Sequence, residues 1–263
     1  MNGHSNRWDQ LLGEAELLLP KFLEATDGLA HEKKGIRRSE LFFFYALVAP
    51  RPPSRIVESG RARAQSTHTL SRLFPNAAIV SLESDPHSPD VAIAAEKLKD
   101  CANVECRFGD SLALLPEIVE PGDVVLIDGP KDFRALKLAF RLLAAGRTPA
   151  VFVHDLWIGS PARNFVDRRV PSALLSDNTR WVKHYATLDS DAPPPTTTDD
   201  ARVAYGATLG CFHAGEENYR QRLAQCRAAQ GADRLRETAR KLLRQPPVRR
   251  PKDFAMVEDK RSR

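Results

Sequence analysis

Cysteine is scarce in this chain, and the spacing of the few cysteines excludes a zinc finger. The 263 residues include four of them, Cys101, Cys106, Cys211 and Cys226. No two form a Cys-x-x-Cys motif, and none is grouped with histidines at zinc-finger spacing. We therefore expect free thiols in a reducing compartment rather than a disulfide framework.

Long apolar runs are also missing. Apolar stretches such as Leu41–Pro50 are shorter than the roughly 18–20 residues that a membrane-spanning helix needs. Residues 1–10 are polar and lack the apolar region of a secretory signal. The sequence therefore predicts a cytoplasmic protein without a membrane span.

Acidic residues are in short supply only toward the C-terminus. The whole chain has 39 Lys+Arg and 34 Asp+Glu, a net charge of +5. Residues 219–263 hold 14 basic and 5 acidic side chains, a net of +9, which leaves 25 basic and 29 acidic residues, a net of −4, for residues 1–218. This asymmetry indicates an anionic partner such as nucleic acid, or alternatively a solvated helix face. Base stacking is disfavoured, since Phe254 is the one aromatic residue after Tyr219.

Strand and helix patterns alternate through the middle of the chain. This alternation is typical of βαβ units and a parallel sheet, and the apolar strands suit a sheet covered on both faces. The strands are predicted at Arg55–Ser59, Ala78–Glu83, Val104–Phe108, Asp123–Asp128 and Ala150–His154. The helices between them are predicted at Gln65–Phe74, Pro89–Leu98, Leu112–Ile118 and Phe133–Ala145.

The two ends of the chain follow a different pattern. Further helices are predicted at Trp8–Leu23, Glu40–Leu47, Arg163–Leu175, Asn218–Gln230 and Asp233–Arg244, and Gln245–Arg263 is predicted to be a flexible tail. Two more strands are predicted at Trp181–Leu188 and Val203–Phe212. Because the Pro/Thr/Asp-rich loop Asp189–Arg202 joins them without a helix, the two strands are expected to lie antiparallel or to leave the sheet.

The turn after the first predicted strand is a candidate cofactor site. It reads Glu58-Ser59-Gly60-Arg61-Ala62-Arg63-Ala64-Gln65-Ser66. Gly60 permits close backbone approach, and the start of the following helix offers free N–H donors. Only the first glycine of a Gly-x-Gly-x-x-Gly pattern is present, so an ordinary tight turn is an equal alternative.

Polar residues also follow the second and third strands. Glu83 lies 23 residues after Gly60, and a carboxylate at that spacing can accept both hydroxyls of a ribose. The alternative for Glu83 is a solvated strand end. Asp110, which precedes Ser111, either caps the next helix or accepts a hydrogen bond from an adenine, and the two roles are compatible.

The fourth and fifth strands end in candidate catalytic groups. Asp128 and Asp155 leave the sheet at the same edge and could hold a divalent cation. The Gly129-Pro130 turn keeps Lys131 near this edge, and either Lys131 or His154 could act as a general base. The alternatives are a surface Lys–Asp pair, a histidine that faces the sheet and an aspartate that caps a turn.

Together these motifs resemble those of the class I S-adenosylmethionine-dependent methyltransferases, over roughly Arg55–Phe212. The resemblance implies an α/β fold with a Rossmann-like, doubly wound, mostly parallel seven-stranded sheet and an antiparallel terminal strand pair. It also implies that S-adenosylmethionine binds over the carboxyl ends of the first strands. The implied cofactor-binding residues are Glu58, Gly60, Ala62, Ser66, Glu83, Asp110, Ser111 and Asp128. We accordingly expect an N-terminal helical cap at 1–53, the Rossmann-like domain at 54–215 and a basic helical extension with its tail at 216–263.

Within that family, Asp128-Gly129-Pro130-Lys131 is similar to the catechol-type O-methyltransferase branch, where a metal-binding Asp precedes a catalytic Lys by three residues. Asp128, Lys131 and His154 are therefore predicted to be catalytic. The resemblance also implies that Asp128 and Asp155 bind Mg²⁺ or another divalent cation. Leu156 follows Asp155, at a position where that branch has an asparagine ligand.

These expectations combine into a prediction of function. The chain is predicted to transfer a methyl group from S-adenosylmethionine to the hydroxyl of a small-molecule acceptor, with a homodimer as one expected assembly. One alternative, motivated by Leu156 and the alanines in the first turn, is a degenerate cofactor-binding or scaffold protein. Another is a nucleic-acid-associated methyltransferase that uses the basic tail. A nicotinamide-dependent dehydrogenase is disfavoured by Gln65 at the third glycine position.

Overall fold

The computed structural model describes residues 2–29, 35–189 and 208–242 of the chain. Its strands are β1 (Arg55–Ser59), β2 (Ala78–Glu83), β3 (Val104–Phe108), β4 (Val124–Ile127), β5 (Ala150–Val153), β6 (Leu174–Leu175) and β7 (Gly210–His213). Its α-helices are α1 (Asn2–Thr26), α2 (Arg38–Val48), α3 (Gln65–Leu73), α4 (Asp90–Leu98), α5 (Ser111–Ile118), α6 (Phe133–Ala144), α7 (Pro161–Arg169), α8 (Thr179–Tyr185) and α9 (Tyr219–Leu242). A 3₁₀ turn at Ala186–Leu188 follows α8.

The strands form one seven-stranded sheet in the order β3-β2-β1-β4-β5-β7-β6. Strands β1 to β5 are parallel, whereas β7 runs antiparallel to both β5 and β6. The predicted doubly wound α/β fold with an antiparallel terminal strand pair is therefore confirmed. Strand order reverses between β1 and β4, and ligands of open α/β sheets bind at the carboxyl ends of the strands at such a point.

Each face of the sheet packs on its own set of helices. Alternate residues such as Ile56, Leu126 and Phe152 join one hydrophobic core with α1, α2 and α3. Their neighbours, including Val57 and Val125, join a second core with α5, α6, α7 and α9. Both faces are thus covered, which explains why β4 and β5 are runs of four fully buried apolar residues.

Helix α2 holds the N-terminal segment against the sheet. Four consecutive aromatic residues, Phe42 to Tyr45, are buried, and the ring of Phe44 lies 4.4 Å from that of Phe152 on β5. On the far side, the Phe42 ring lies 5.4 Å from Trp181 on α8. The predicted boundary at residue 53 thus falls between segments that share one core.

The C-terminal half differs from the prediction in three elements. The strand predicted at Trp181–Leu188 is wrong: the segment forms α8 and the 3₁₀ turn. Its β-branched and aromatic residues resemble a strand, but Trp181, Val182 and Tyr185 are buried at helical spacing, and the Asn178 side chain caps the helix by accepting from the Arg180 N–H at 3.0 Å.

The partner of β7 comes instead from the end of the predicted helix Arg163–Leu175. That helix ends at Arg169, before Pro171, and Leu174–Leu175 forms β6. Residues 203–207 of the strand predicted at Val203–Phe212 lie outside the described residues, as do loop residues 190–202 and the predicted tail Gln245–Arg263. The two predicted C-terminal helices are one, because α9 continues through Gly231.

The structure also bears on the predictions about the cysteines and about membrane spans. All four cysteines are free, as expected. None of the described helices combines the length and apolar character needed to cross a membrane.

Candidate functional site

A cavity of about 420 Å³ lies at the point where strand order reverses. Its wall includes Gly60, Ala62 and Ser66 from the turn and first helical residues after β1, and Asp128 from the end of β4. Gly35 and Ile36, just before α2, also line it. Four of the predicted cofactor-binding residues therefore meet around one cavity.

The turn after β1 is pressed against the end of β4. Gly60 has φ +89°, and a Cβ there would lie 2.8 Å from the Gly129 nitrogen and 2.9 Å from the carbonyl carbon of Asp128. Glycine is therefore required at this position. Ala62 and Ala64 also have left-handed backbones, with φ 44° and 61°, a conformation that disfavours alanine.

Glu58 lies beneath this turn rather than in the cavity wall. Its Oε2 accepts hydrogen bonds from the hydroxyls of Thr67 and Ser81, the latter at 2.8 Å. Its Oε1 is buried without a hydrogen-bond partner among the described residues. Burial raises the pKa of this carboxyl, although the hydroxyl hydrogen bonds favour its ionised form.

Glu83 lies at the same edge of the sheet but outside the cavity wall. Its Oε2 accepts from the Ala62 N–H and its Oε1 from the Ser84 N–H, each at 2.8 Å. The carboxylate therefore joins the end of β2 to the turn after β1. Oε1 also accepts from the Ser84 hydroxyl at 3.2 Å and from the Asp85 N–H at 3.3 Å. Because a carboxylate has about four acceptor sites, a ligand hydroxyl would replace one of these longer bonds.

Asp110 and Ser111 follow β3 and likewise lie outside the cavity wall. The Asp110 carboxylate accepts from the Leu112 N–H at 2.9 Å, which confirms the predicted helix-capping role. Ser111 donates to the Gly129 carbonyl at 3.0 Å. Arg61 donates to the Ser81 carbonyl at 2.7 Å, and its guanidinium carbon lies 4.9 Å from the Phe108 ring centroid.

Asp128, Lys131, His154 and Asp155 form one connected array. Lys131 Nζ lies 2.5 Å from Asp128 Oδ1 and 2.8 Å from Asp155 Oδ2. His154 Nδ1 lies 2.7 Å from the same Asp128 oxygen. The strand register explains why Asp128 and His154 are neighbours. Ile127 on β4 pairs with Val153 on β5, so the residues that follow them, Asp128 and His154, lie side by side.

Glu40 completes the array and was missed by the sequence analysis. It is fully buried on α2, and its Oε2 lies 3.2 Å from His154 Nε2. The same oxygen accepts from the Arg37 N–H at 3.0 Å, and Oε1 has no hydrogen-bond partner among the described residues. A glutamate in the first turn of a helix is typical of a capping box, so the sequence carried no separate signal for this contact.

The electrostatics of the array favour ionised groups. Burial opposes charge on His154, but Asp128 and Glu40 outweigh it and raise the pKa of His154 to about 10. Burial likewise opposes charge on Lys131, yet Asp128 and Asp155 raise its pKa overall. Burial opposes ionisation of Asp128, and His154 and Lys131 reverse this and lower its pKa. At neutral pH both cations are therefore hydrogen-bond donors, and neither is a free base.

The array has the size of a metal site, but its ligand atoms are already engaged by other groups. Ligand atoms of Asp128, His154 and Asp155 lie within 4.8 Å of one another. The Lys131 ammonium, however, lies between the two aspartates, and both nitrogens of His154 face carboxylates. Leu156 is fully buried and supplies no oxygen. In this arrangement the residues do not fit a divalent cation.

Comparison with known proteins finds similar structures. No protein-family model matches the chain, and no curated protein sequence matches it. An O-methyltransferase of Bacillus cereus in complex with SAH is 18% identical with a TM-score of 0.42, over 76% of this chain and 90% of that one. An SAH-bound methyltransferase of Podospora anserina is 14% identical with a TM-score of 0.43, over 81% and 97%. An O-methyltransferase of Streptomyces achromogenes, in complex with SAM and involved in tomaymycin synthesis, is 18% identical with a TM-score of 0.40, over 75% and 89%.

Proposed function

We propose that this chain is an S-adenosylmethionine-dependent methyltransferase acting on a hydroxyl oxygen of a small molecule. The observation that carries the proposal is the cavity at the β1/β4 reversal, whose wall is formed by the Gly60 turn and the adjoining Asp128. Ligand sites of doubly wound sheets lie at this position. The charged array beside the cavity supplies the polar groups that a reaction would use.

The cofactor would lie along the carboxyl ends of β1 to β3. Gly60, Ala62 and Ser66 would contact its methionine portion, with Glu58 supporting the turn from below. Glu83 would accept the ribose hydroxyls, and Asp110 and Ser111 would border the adenine. S-adenosylmethionine, when bound, supplies an electrophilic methyl group on a positively charged sulfur.

The charge of the array suits such a ligand. Counted as ionised, Glu40, Asp128 and Asp155 contribute three negative charges, and Lys131 and His154 contribute two positive ones. The remaining unit of negative charge lies at a partly buried site, where it attracts a cation more strongly than in bulk solvent.

The chain's part in the reaction would be alignment and proton transfer. In its protonated state, Lys131 would donate a hydrogen bond to the acceptor oxygen and hold it in line with the methyl group. To act as the base, Lys131 must first lose its own proton, which the neighbouring carboxylates oppose. Turnover should therefore rise with pH through the alkaline range, whereas a plateau near pH 7 would contradict Lys131 as the base.

Calorimetry with S-adenosylmethionine tests the cofactor directly. Glu83→Gln should weaken binding about tenfold, because a hydrogen bond to a charged group contributes about 1.5 kcal/mol. Glu105→Gln is the matched control: this exposed carboxylate on the adjacent strand pairs with Arg107 at 2.6 Å, so affinity should not change. No binding to the wild type at millimolar cofactor would exclude the proposed function.

A cofactor-binding scaffold without turnover is the second candidate. It is favoured by Ala62 and Ala64, which occupy left-handed positions suited to glycine. A panel of phenols, sugars and hydroxy acids, assayed for methyl transfer with the wild-type chain, separates the two candidates. Turnover of any acceptor supports the enzyme, and cofactor binding without turnover across the panel supports the scaffold.

A further inference from the structure

We infer that the Lys131 ammonium takes the place of a divalent cation between Asp128 and Asp155, and that this site excludes divalent metals. This inference concerns the same site as the proposed function and rests on it only in that respect. Its test requires neither the cofactor nor catalysis. It is the reverse of the metal site predicted from the sequence.

The position of the ammonium is the first argument. Lys131 Nζ lies 2.5 Å from Asp128 Oδ1 and 2.8 Å from Asp155 Oδ2, so it bridges the two carboxylates. A metal ion sharing these oxygens would need them at about 2.0–2.6 Å. It would therefore lie against the ammonium, and two like charges at such a distance repel strongly in a partly buried site.

The histidine offers the metal no lone pair. A metal-bound imidazole must present one unprotonated nitrogen. In His154, Nδ1 faces Asp128 at 2.7 Å and Nε2 faces Glu40 at 3.2 Å, so hydrogen bonding to both acids uses an N–H on each nitrogen. Glu40 is fully buried and held at the start of α2 by the Arg37 N–H, so it is a fixed partner.

Leu156, after Asp155, has no side-chain oxygen, and its carbonyl accepts from Arg163 Nη1 at 3.2 Å. The Leu156 side chain is fully buried, and a Cβ added at Gly210 would lie 2.6 Å from Leu156 Cδ1. The Leu156 N–H donates to the Thr208 carbonyl at 3.1 Å, which holds this part of the backbone against the segment that leads into β7. Within the described residues, the position next to Asp155 therefore belongs to the core.

Charge balance points the same way. Three carboxylates, those of Glu40, Asp128 and Asp155, already face the two cations of Lys131 and His154. Adding a divalent ion would change the sum from one negative to one positive charge. A buried excess of positive charge is unfavourable, so metal entry would require Lys131 to leave or lose its proton.

Titration of the full-length chain with Mn²⁺, followed by electron paramagnetic resonance, tests the inference. The wild type should leave Mn²⁺ free up to millimolar concentration, and Lys131→Ala should bind one Mn²⁺ per chain at least tenfold more tightly than the wild type. Lys131→Ser provides a second variant should the first fold poorly. The double variant Lys131→Ala with Asp155→Asn should lose the gained site.

Lys99→Ala is the matched control, since Lys99 also pairs with a carboxylate, Glu96 at 2.6 Å, but far from the array. It should bind no Mn²⁺. Stoichiometric binding by the wild type that Asp128→Asn removes would overturn the inference, and so would failure of both folded Lys131 variants to gain Mn²⁺. If the wild type does not bind S-adenosylmethionine in calorimetry, the proposed function is rejected, but the conclusion from Mn²⁺ binding is unaffected.

Discussion

The buried His154 and the half-buried His213, near opposite ends of β5, differ widely in pKa. His154 follows the strand at its carboxyl end, whereas His213 pairs with Ala150 at its start. Burial lowers the pKa of His213 to about 4, with Arg7 adding to the effect. Burial acts on His154 in the same direction, but Asp128 and Glu40 raise its pKa to about 10. Desolvation thus favours neutral imidazole at both positions. Asp128 and Glu40 reverse this at His154, whereas Glu216 does not reverse it at His213.

The two edges also differ in how well their polar groups are paired. At the carboxyl edge, Glu40 and Glu58 each have a buried oxygen without a hydrogen-bond partner among the described residues. Near His213, the Tyr219 hydroxyl donates to the His213 carbonyl at 2.9 Å, and Thr148 donates to the Asp123 and Ala150 carbonyls at 2.6 and 2.7 Å. Unsatisfied polar groups and strained backbone are characteristic of functional sites, which supports a function at the carboxyl edge.

Asp128→Ala should have the largest effect on stability. Removing this carboxylate takes the shared partner from the buried His154 and the partly exposed Lys131, so we expect a loss of about 3 kcal/mol in the free energy of unfolding, mostly from His154. Glu216→Ala, near His213, removes an exposed partner of Arg7 at 3.5 Å and should change it by less than about 1 kcal/mol. Urea unfolding followed by circular dichroism measures both, and equal losses would remove the distinction between the edges.

Gly60→Ala should have the next largest effect. Both the left-handed backbone and the contact with the end of β4 oppose a Cβ, so we expect about 2–3 kcal/mol of destabilisation and weaker cofactor binding. Gly122→Ala, before β4 at the opposite edge, has φ +95° but no atom within 4 Å of the added Cβ, and should cost about 1–2 kcal/mol. If the two variants unfold at the same urea concentration, the close approach at Gly60 has no energetic weight.

The opposite pKa shifts predict opposite pH dependences. The His154 contribution to stability is fully present below pH 6.5 and is lost as pH rises toward 10. The His213 contribution is fully present above pH 6.5 and is lost as pH falls toward 4. In melting temperatures measured from pH 4 to 10, Glu40→Gln should flatten the alkaline decline and His213→Gln the acid decline. If Glu40→Gln flattened the acid decline, or His213→Gln the alkaline decline, the assignment of each decline to its histidine would be refuted.

Ala62→Gly should have the smallest effect. Relief of the left-handed alanine roughly offsets the entropy that glycine loses on folding, so we expect stabilisation of at most about 1 kcal/mol. Ala113→Gly, at an exposed position of helix α5, should instead destabilise by about 1 kcal/mol. Differential scanning calorimetry of both variants compares them, and destabilisation by Ala62→Gly would show that this turn is not strained.

Prediction from the sequence worked best where a local pattern is sufficient. The five parallel strands and the polar residues that end them follow from alternating patterns, and the register brings Asp128, His154 and Lys131 together. It failed at Trp181–Leu188, because aromatic and β-branched residues suit either a strand or a helix that is buried on one side. It also missed β6, since two residues are too few to produce a periodic signal.

The sequence by itself determined the doubly wound sheet and the edge at which polar residues gather, whereas the need for glycine at position 60 follows from the close approach of the end of β4. Only the tertiary structure decided the charge states of those polar residues. Whether Lys131 and His154 are bases or protonated donors depends on the carboxylates around them, and Glu40 comes from a helix 114 residues away from His154 in the chain. Local sequence encodes backbone pattern, whereas the pKa of a buried group depends on neighbours that only folding brings within hydrogen-bonding distance.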